Sequence, residues 1–379
     1  MKKYKWDLEQ LNIEYNIIKY MMDHTTDKEV LNQLRDGLEN YRSLFRSLNK
    51  NDKDKGIAVF DDNLSSYDLY ELIDDFSDTY DNKNLKSILK IILISYCTIC
   101  DCLTYEKLDD IPIKENNDKI VEVTYDFFDK MTPDYIKKEF DKIIDERNNV
   151  LDISYSRKKS DYAGIVLIEP IFRNRFIIIK RRNILKDYGI LPHESFHYIF
   201  IKDTNVNRHS FNSYFLNEIE GSLADLLFAK YYEEYSNNNK TYFSINFNNQ
   251  FISDIEDLVI RNALFGSLKD NGNIRMNKFN KLLALYSFLP FDKIEEVNEY
   301  LEIPQEIRMN YSLSHLAAFD LFSIYNKDPD KCFYLLKNIK YNIQENNIMK
   351  LLRNNEITFM DDECENIKKY MTSFNNKIS

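Results

Sequence analysis

The stretch RFIIIKRRNILKDYGILPHESFHYIF, residues 175–200, decides how the rest of the chain is read. It opens on Arg175–Arg181, a short run rich in β-branched residues that predicts a strand. It closes on an apolar helical segment carrying His193-Glu194-Ser195-Phe196-His197, the H-E-x-x-H spacing. Residues four apart on a helix share a face, so both imidazoles can grip one Zn2+. Glu194 lies one step round, close enough to take a proton from a metal-bound water. The chain holds only five histidines, and a chance match is expected in well under ~1% of chains of this composition. Pro192 fits poorly inside a helix. The metal helix is therefore expected to start near Leu191, with Pro192 in its first turn.

Working outward, VLDISYS (150–156) and GIVLIEP (164–170) predict two further strands ahead of Arg175–Arg181. Upstream of these, apolar residues recur at three- and four-residue spacing over Trp6–Leu48, Tyr67–Tyr80, Leu85–Leu103 and Asp118–Lys130, predicting helices. Thr132-Pro133 reads as an N-cap followed by Pro at the first position of another. NKNDKDKG, Asn49–Gly56, is a polar connector. From Leu185 the pattern is helical to the end, with breaks at Ser236–Lys240 and Lys269–Asn273. The expected fold class is α+β, predominantly α-helical, with a small sheet beside the HExxH helix. The expected division is an N-terminal helical region, 1–149, and a catalytic region with C-terminal helices, 150–379.

Composition narrows the function classes. Seven Gly and seven Pro among 379 residues are roughly a third of the usual share of about 12%, too few turn-formers for a many-stranded β fold. A net charge of −11 argues against a chain-wide nucleic-acid footprint. Hydrophobic residues at 44%, with 27 Tyr and 25 Phe, exclude wholesale disorder. The N-terminal MKKYKWDLEQLN has no apolar core of a secretory signal, and Ile88–Cys100 is too short for a membrane span. Cys97, Cys100 and Cys102 read as part of a core-facing helix rather than as zinc ligands. The expectation is a reduced, cytoplasmic protein with no membrane insertion.

Two histidines do not complete a catalytic zinc site, which takes three protein ligands and keeps a fourth position open. FNSYFLNEIEGSLADLLFAKYYEE, residues 211–234, offers Glu218 and Glu220, about 200° apart around a helix. Glu218 shares its side with Ser222, Asp225 and Ala229, and Glu220 with Leu216, Leu223 and Leu227. The small, polar face suits a hydrated metal better, so Glu218 is preferred, with Glu220 the alternative.

These segments, with NYSLSHLAAFDLFSIY (310–325) downstream, resemble the thimet-oligopeptidase/oligoendopeptidase-F family over roughly residues 150–360. The resemblance implies a zincin-like, mostly helical zinc oligopeptidase. It places Glu218 as the third ligand, Asp225 in the acidic slot seven positions on, and Tyr311 as the tyrosine that supplies a hydroxyl to the substrate carbonyl. The chain departs from the pattern at Phe196, Phe200, Gly221 and Ser314, and it is shorter than typical members.

Tyr311 and His315 are four apart, hence on one helical face, and read as an electrophilic pair for the oxyanion. The peptide substrate is expected in extended form, paired with Arg175–Lys180 as an edge strand. His209, His24 and the basic group Arg173, Arg175, Arg181 and Arg182 read as solvated. The functional expectation is a zinc-dependent metallopeptidase with Glu194 as general base. The alternative is a non-catalytic helical peptide-binding protein with a relict metal motif.

Overall fold

The computed structural model describes residues 82–155, 163–168, 175–201, 215–236, 238–267, 275–284, 305–343 and 347–378. Trp6–Leu48 with His24, Asn49–Gly56, Tyr67–Tyr80, Arg173, His209 and Lys269–Asn273 lie outside the described residues. In chain order the elements are α1 Asn82–Ile99, α2 Asn117–Met131, α3 Asp134–Asp145, α4 Arg147–Val150, β1 Leu151–Tyr155, β2 Gly164–Ile168 and β3 Arg175–Arg181. Then come α5 Asp187–Ile201, α6 Ile219–Tyr235, α7 Tyr242–Ser267, α8 Met276–Ala284, α9 Gln305–Tyr325, α10 Pro329–Tyr341, α11 Ile348–Asn354 and α12 Glu365–Ile378. The fold is thus α+β and mostly helical, as expected. Among the described residues, 110–201 belong to one compact unit, and 82–109 with 215–378 to a second.

In the first unit the three strands form one sheet in the order β1-β3-β2. β3 runs parallel to β1 and antiparallel to β2, the latter from Gly164 opposite Ile179 to Ile168 opposite Arg175. The expectation of an edge strand at Arg175–Lys180 is therefore corrected, because β3 is central. The physical reason lies in its burial: Phe176, Ile177, Ile178 and Ile179 are all at most 5% exposed. Four consecutive buried side chains require cover on both faces, which suits an interior strand.

The metal helix also starts earlier than expected, at Asp187 rather than Leu191, so Pro192 is its sixth residue. The reason is Asp187 itself. Its Oδ2 accepts from the backbone N–H of Arg182 at 2.9 Å and of Ile184 at 3.2 Å, closing the turn that leads into the helix. Asn183 takes the left-handed conformation in that turn (φ 62°), which Asn tolerates well. Burial pushes the Asp187 carboxyl up, against the pull of those N–H donors. Pro192 can donate nothing to the Tyr188 carbonyl, a cost that α5 bears inside a packed unit.

Packing fixes the rotation of α5. Phe196 is fully buried, with its ring 5.7 Å from Phe128 and 6.3 Å from Phe127 of α2. Phe128 in turn stacks on Phe140 of α3 at 4.1 Å. Full burial of one such ring is worth about 1.5–3 kcal/mol. Thr132 ends α2, its hydroxyl on the Phe128 carbonyl at 2.8 Å, and Pro133 is the N-cap of α3. The cap and first position thus fall one residue later than expected, because the Thr132 hydroxyl is turned back onto α2.

In the second unit α6 packs on α9 and α7, while α10, α1 and α12 pack on α9. α1 buries Ile88, Ile92, Tyr96 and Ile99, a 4-4-3 stripe that leaves Cys97 exposed and Cys100 and Cys102 half-buried in the following turn. The cysteines therefore do not face the core as expected, because that stripe and not the thiols makes the contact. Among the described residues no helix is long and apolar enough to cross a membrane.

Candidate metal centre

On α5 the HExxH residues divide between two faces. Phe196 points into the aromatic core, and His193 and His197 project together from the other side. Their Nε2 atoms are 3.0 Å apart with the rings nearly edge to face. His193 is half-buried and His197 is buried. Neighbouring ligands of a tetrahedral zinc, each about 2.05 Å from the ion, stand about 3.3 Å from one another. The pair is thus spaced as ligands to one ion are, and the same separation serves an N–H···N bond when one ring donates. Glu194 is 7% exposed and lies against the first residue of β2.

Glu218, the expected third donor, lies at the start of α6 in the second unit. Glu218 is the N-cap residue of that helix, and its side chain does not cap the helix's own N–H groups. With the two histidines, Glu218 makes up a set of three potential metal ligands among the described residues. Two imidazole nitrogens and a carboxylate oxygen are a donor set that zinc accepts, and three such ligands leave a position for substrate or water. The residues present therefore fit a catalytic zinc.

Glu220, the alternative ligand, is engaged elsewhere. Its two oxygens accept from Lys340 Nζ of α10 at 2.7 and 2.8 Å. The carboxylate side chain is wholly buried and the lysine 2% exposed. A buried carboxylate needs such a partner.

Tyr311 and His315 sit together on α9, ring centroids 6.3 Å apart. Tyr311 is half-buried and His315 buried. The His315 ring meets the edges of Phe247 and Phe251, and its Nε2 lies 3.2 Å from Asp254 Oδ2 of α7. Arg308 bridges Asp254 and Asp257. With Nε2 on Asp254, His315 has Nδ1 as its remaining polar atom, without a hydrogen-bond partner among the described residues. Arg175, expected to be solvated, instead donates to the Tyr198 carbonyl and lies 4.3 Å over the Tyr198 ring. Arg181 donates to the Glu115 carbonyl at 2.8 Å.

Sequence reasoning missed Lys340, Asp254 and Arg308, whose partners lie far away along the chain. It also passed over Gly164, although a glycine opening a strand in a chain with seven glycines is a visible signal.

No protein-family model matches the chain, and no curated protein matches it in sequence. Solved structures match it in fold. PZ peptidase A, solved with an inhibitor, is 12% identical at a TM-score of 0.51, over 97% of this chain and 71% of that one. A Chlamydophila abortus protein called a peptidase is 11% identical at a TM-score of 0.54, over 98% of this chain and 63% of that one. A Bacillus anthracis protein called an oligoendopeptidase F is 13% identical at a TM-score of 0.50, over 98% and 62%. The structural neighbours are peptidase and oligoendopeptidase-F-like proteins, and the chain shares their fold while spanning 62–71% of their length.

Proposed function

We propose that the chain is a zinc-dependent metallopeptidase, with catalysis carried by residues 150–379. His193, His197 and Glu218 hold the metal. The convergence of the two Nε2 atoms at 3.0 Å is the observation that carries the reading. Shared fold with peptidases supports it. When bound, zinc supplies Lewis-acid polarisation of the scissile carbonyl and lowers the pKa of water. Glu194 takes the proton of the attacking water and delivers it to the leaving amine, acting first as base and then as acid. Tyr311 donates its hydroxyl to the developing oxyanion, with His315 beside it.

The peptide binds in extended form. Among the described residues β2 pairs only with β3, so β2 is the edge that starts beside Glu194, and it takes over the substrate-pairing role expected of β3. All five cysteines are free thiols, in keeping with a reduced, cytoplasmic setting. The relict-motif alternative is not favoured, since the two imidazoles still converge.

The test is metal analysis of the purified protein and cleavage of a quenched-fluorescent peptide library with and without chelator. Bound zinc, chelator-sensitive cleavage and loss of cleavage in Glu194→Gln with metal retained are expected. A protein that binds no zinc, or a Glu194→Gln variant as active as the parent, refutes the assignment.

A further inference from the structure

Gly164 opens β2, opposite Ile179 of β3. A Cβ built on it would stand 2.6 Å from Glu194 Cγ, 2.6 Å from Glu194 Oε1 and 2.6 Å from Ile190 Cγ2. Real Cβ atoms do not approach other heavy atoms so closely, so something must shift if any side chain is added here. Its φ lies outside the left-handed region, so the glycine answers to space and not to backbone conformation. This is the close backbone approach for which a strand glycine is used.

We propose that Gly164 is a positioning residue for Glu194: the bare backbone at the start of β2 makes the slot in which that carboxylate lies. Neither wall of the slot can retreat cheaply. β2 is tied to β3 over five residue pairs, and β3 is tied on its other side to β1. α5 is pinned by Phe196 and Phe200, both at most 1% exposed. Ile190 and Glu194 are four apart and present one continuous surface to the strand. The part that yields most easily is the Glu194 side chain, whose far end rotates about single bonds. A methyl group at 164 therefore turns the carboxylate away from its place while leaving the two imidazoles, on a different step of the helix, where they are.

The inference rests on the reading of Glu194 as the base only for its activity arm. The test has two arms. In the first, made on the metal-free protein, Gly164→Ala is introduced into the parent and into Glu194→Ala, and the denaturation midpoints are compared. Two of the three close contacts belong to Glu194, so the Gly164→Ala loss is expected to shrink by at least about half in the Glu194→Ala background. An equal loss in both backgrounds overturns the proposal. Should Gly164→Ala alone fail to fold, recovery of folding in the double variant supports it, and continued failure overturns it.

In the second arm, Gly164→Ala is expected to lower kcat by about 100-fold with KM within about threefold, the scale of a misplaced catalytic group. Zinc affinity, measured by competition with a chelating dye, is expected to stay within about threefold of the parent. An unchanged kcat, or a zinc affinity lost along with kcat, overturns it. A parent without peptidase activity removes the proposed function, while the stability arm still decides for or against the slot.

Discussion

Lys340→Met is the substitution whose cost the structure defines most sharply. The Lys340 ammonium lies within hydrogen-bond distance of both oxygens of Glu220, at 2.7 and 2.8 Å, and 3.5 Å from the Leu216 carbonyl. Side-chain exposures of 2% and 0% leave no room for water to replace it. Methionine keeps the volume and the apolar stem but removes the charge. Glu220 is then a buried carboxylate without its cation, a situation that costs about 3–5 kcal/mol. At about 2–4 °C per kcal/mol for a unit of 150–250 residues, the melting temperature of the second unit drops by about 6–20 °C.

The assay is thermal and urea unfolding by circular dichroism, comparing parent, Lys340→Met and the double variant Glu220→Leu/Lys340→Met. Replacing both members of a buried pair by apolar groups of similar size is often neutral or better. The double variant should therefore recover to within about 1 kcal/mol of the parent. A single variant that loses under about 1 kcal/mol refutes the reasoning, since the pair would then be screened by water. Two further variants check the ligand choice by zinc affinity: Glu220→Gln should retain zinc, whereas Glu218→Gln should lose more than the 10–100-fold typical of groups that only support a ligand.

Phe196→Ala, at the inner face of the metal helix, should cost about 3–5 kcal/mol by chemical denaturation; a loss under about 1 kcal/mol would mean that α5 is not anchored there. Alkaline stability should depend on Cys364, whose thiol, 1% exposed, burial pushes up from 9.0 to about 11. The unfolded chain gives up that proton first, so stability falls as pH rises from about 9 to about 11, by at most about 3 kcal/mol. Cys364→Ala should make melting temperature fall less steeply with pH over that window, the buried Cys332 thiol still contributing in the same direction, and an unchanged slope counts against the assignment.

What could be read from the sequence was what is local. Helix α2 and strand β3 are marked by periodicity and β-branched runs, and the boundaries found fall within a residue of those expected. The HExxH spacing is local as well, because one turn of helix is enough to bring two imidazoles together. The start of α5 was not legible, because it depends on a carboxylate five residues downstream capturing the Arg182 N–H. The place of β3 in the sheet depends on pairing with β1, over a register that begins with Leu151 opposite Ile177. No local pattern states that pairing, although the unbroken Phe-Ile-Ile-Ile run carried a hint of cover on both faces.

The choice between Glu218 and Glu220 shows how the two kinds of information combine. Helical periodicity says only that the two carboxylates diverge. It cannot say which face meets a cation, because either could. The structure adds a lysine 120 residues further on that pairs with Glu220. That pair holds both oxygens of Glu220 on Lys340. A single charged partner in the core thus engages Glu220, and the proposed choice of Glu218 as ligand rests on that engagement.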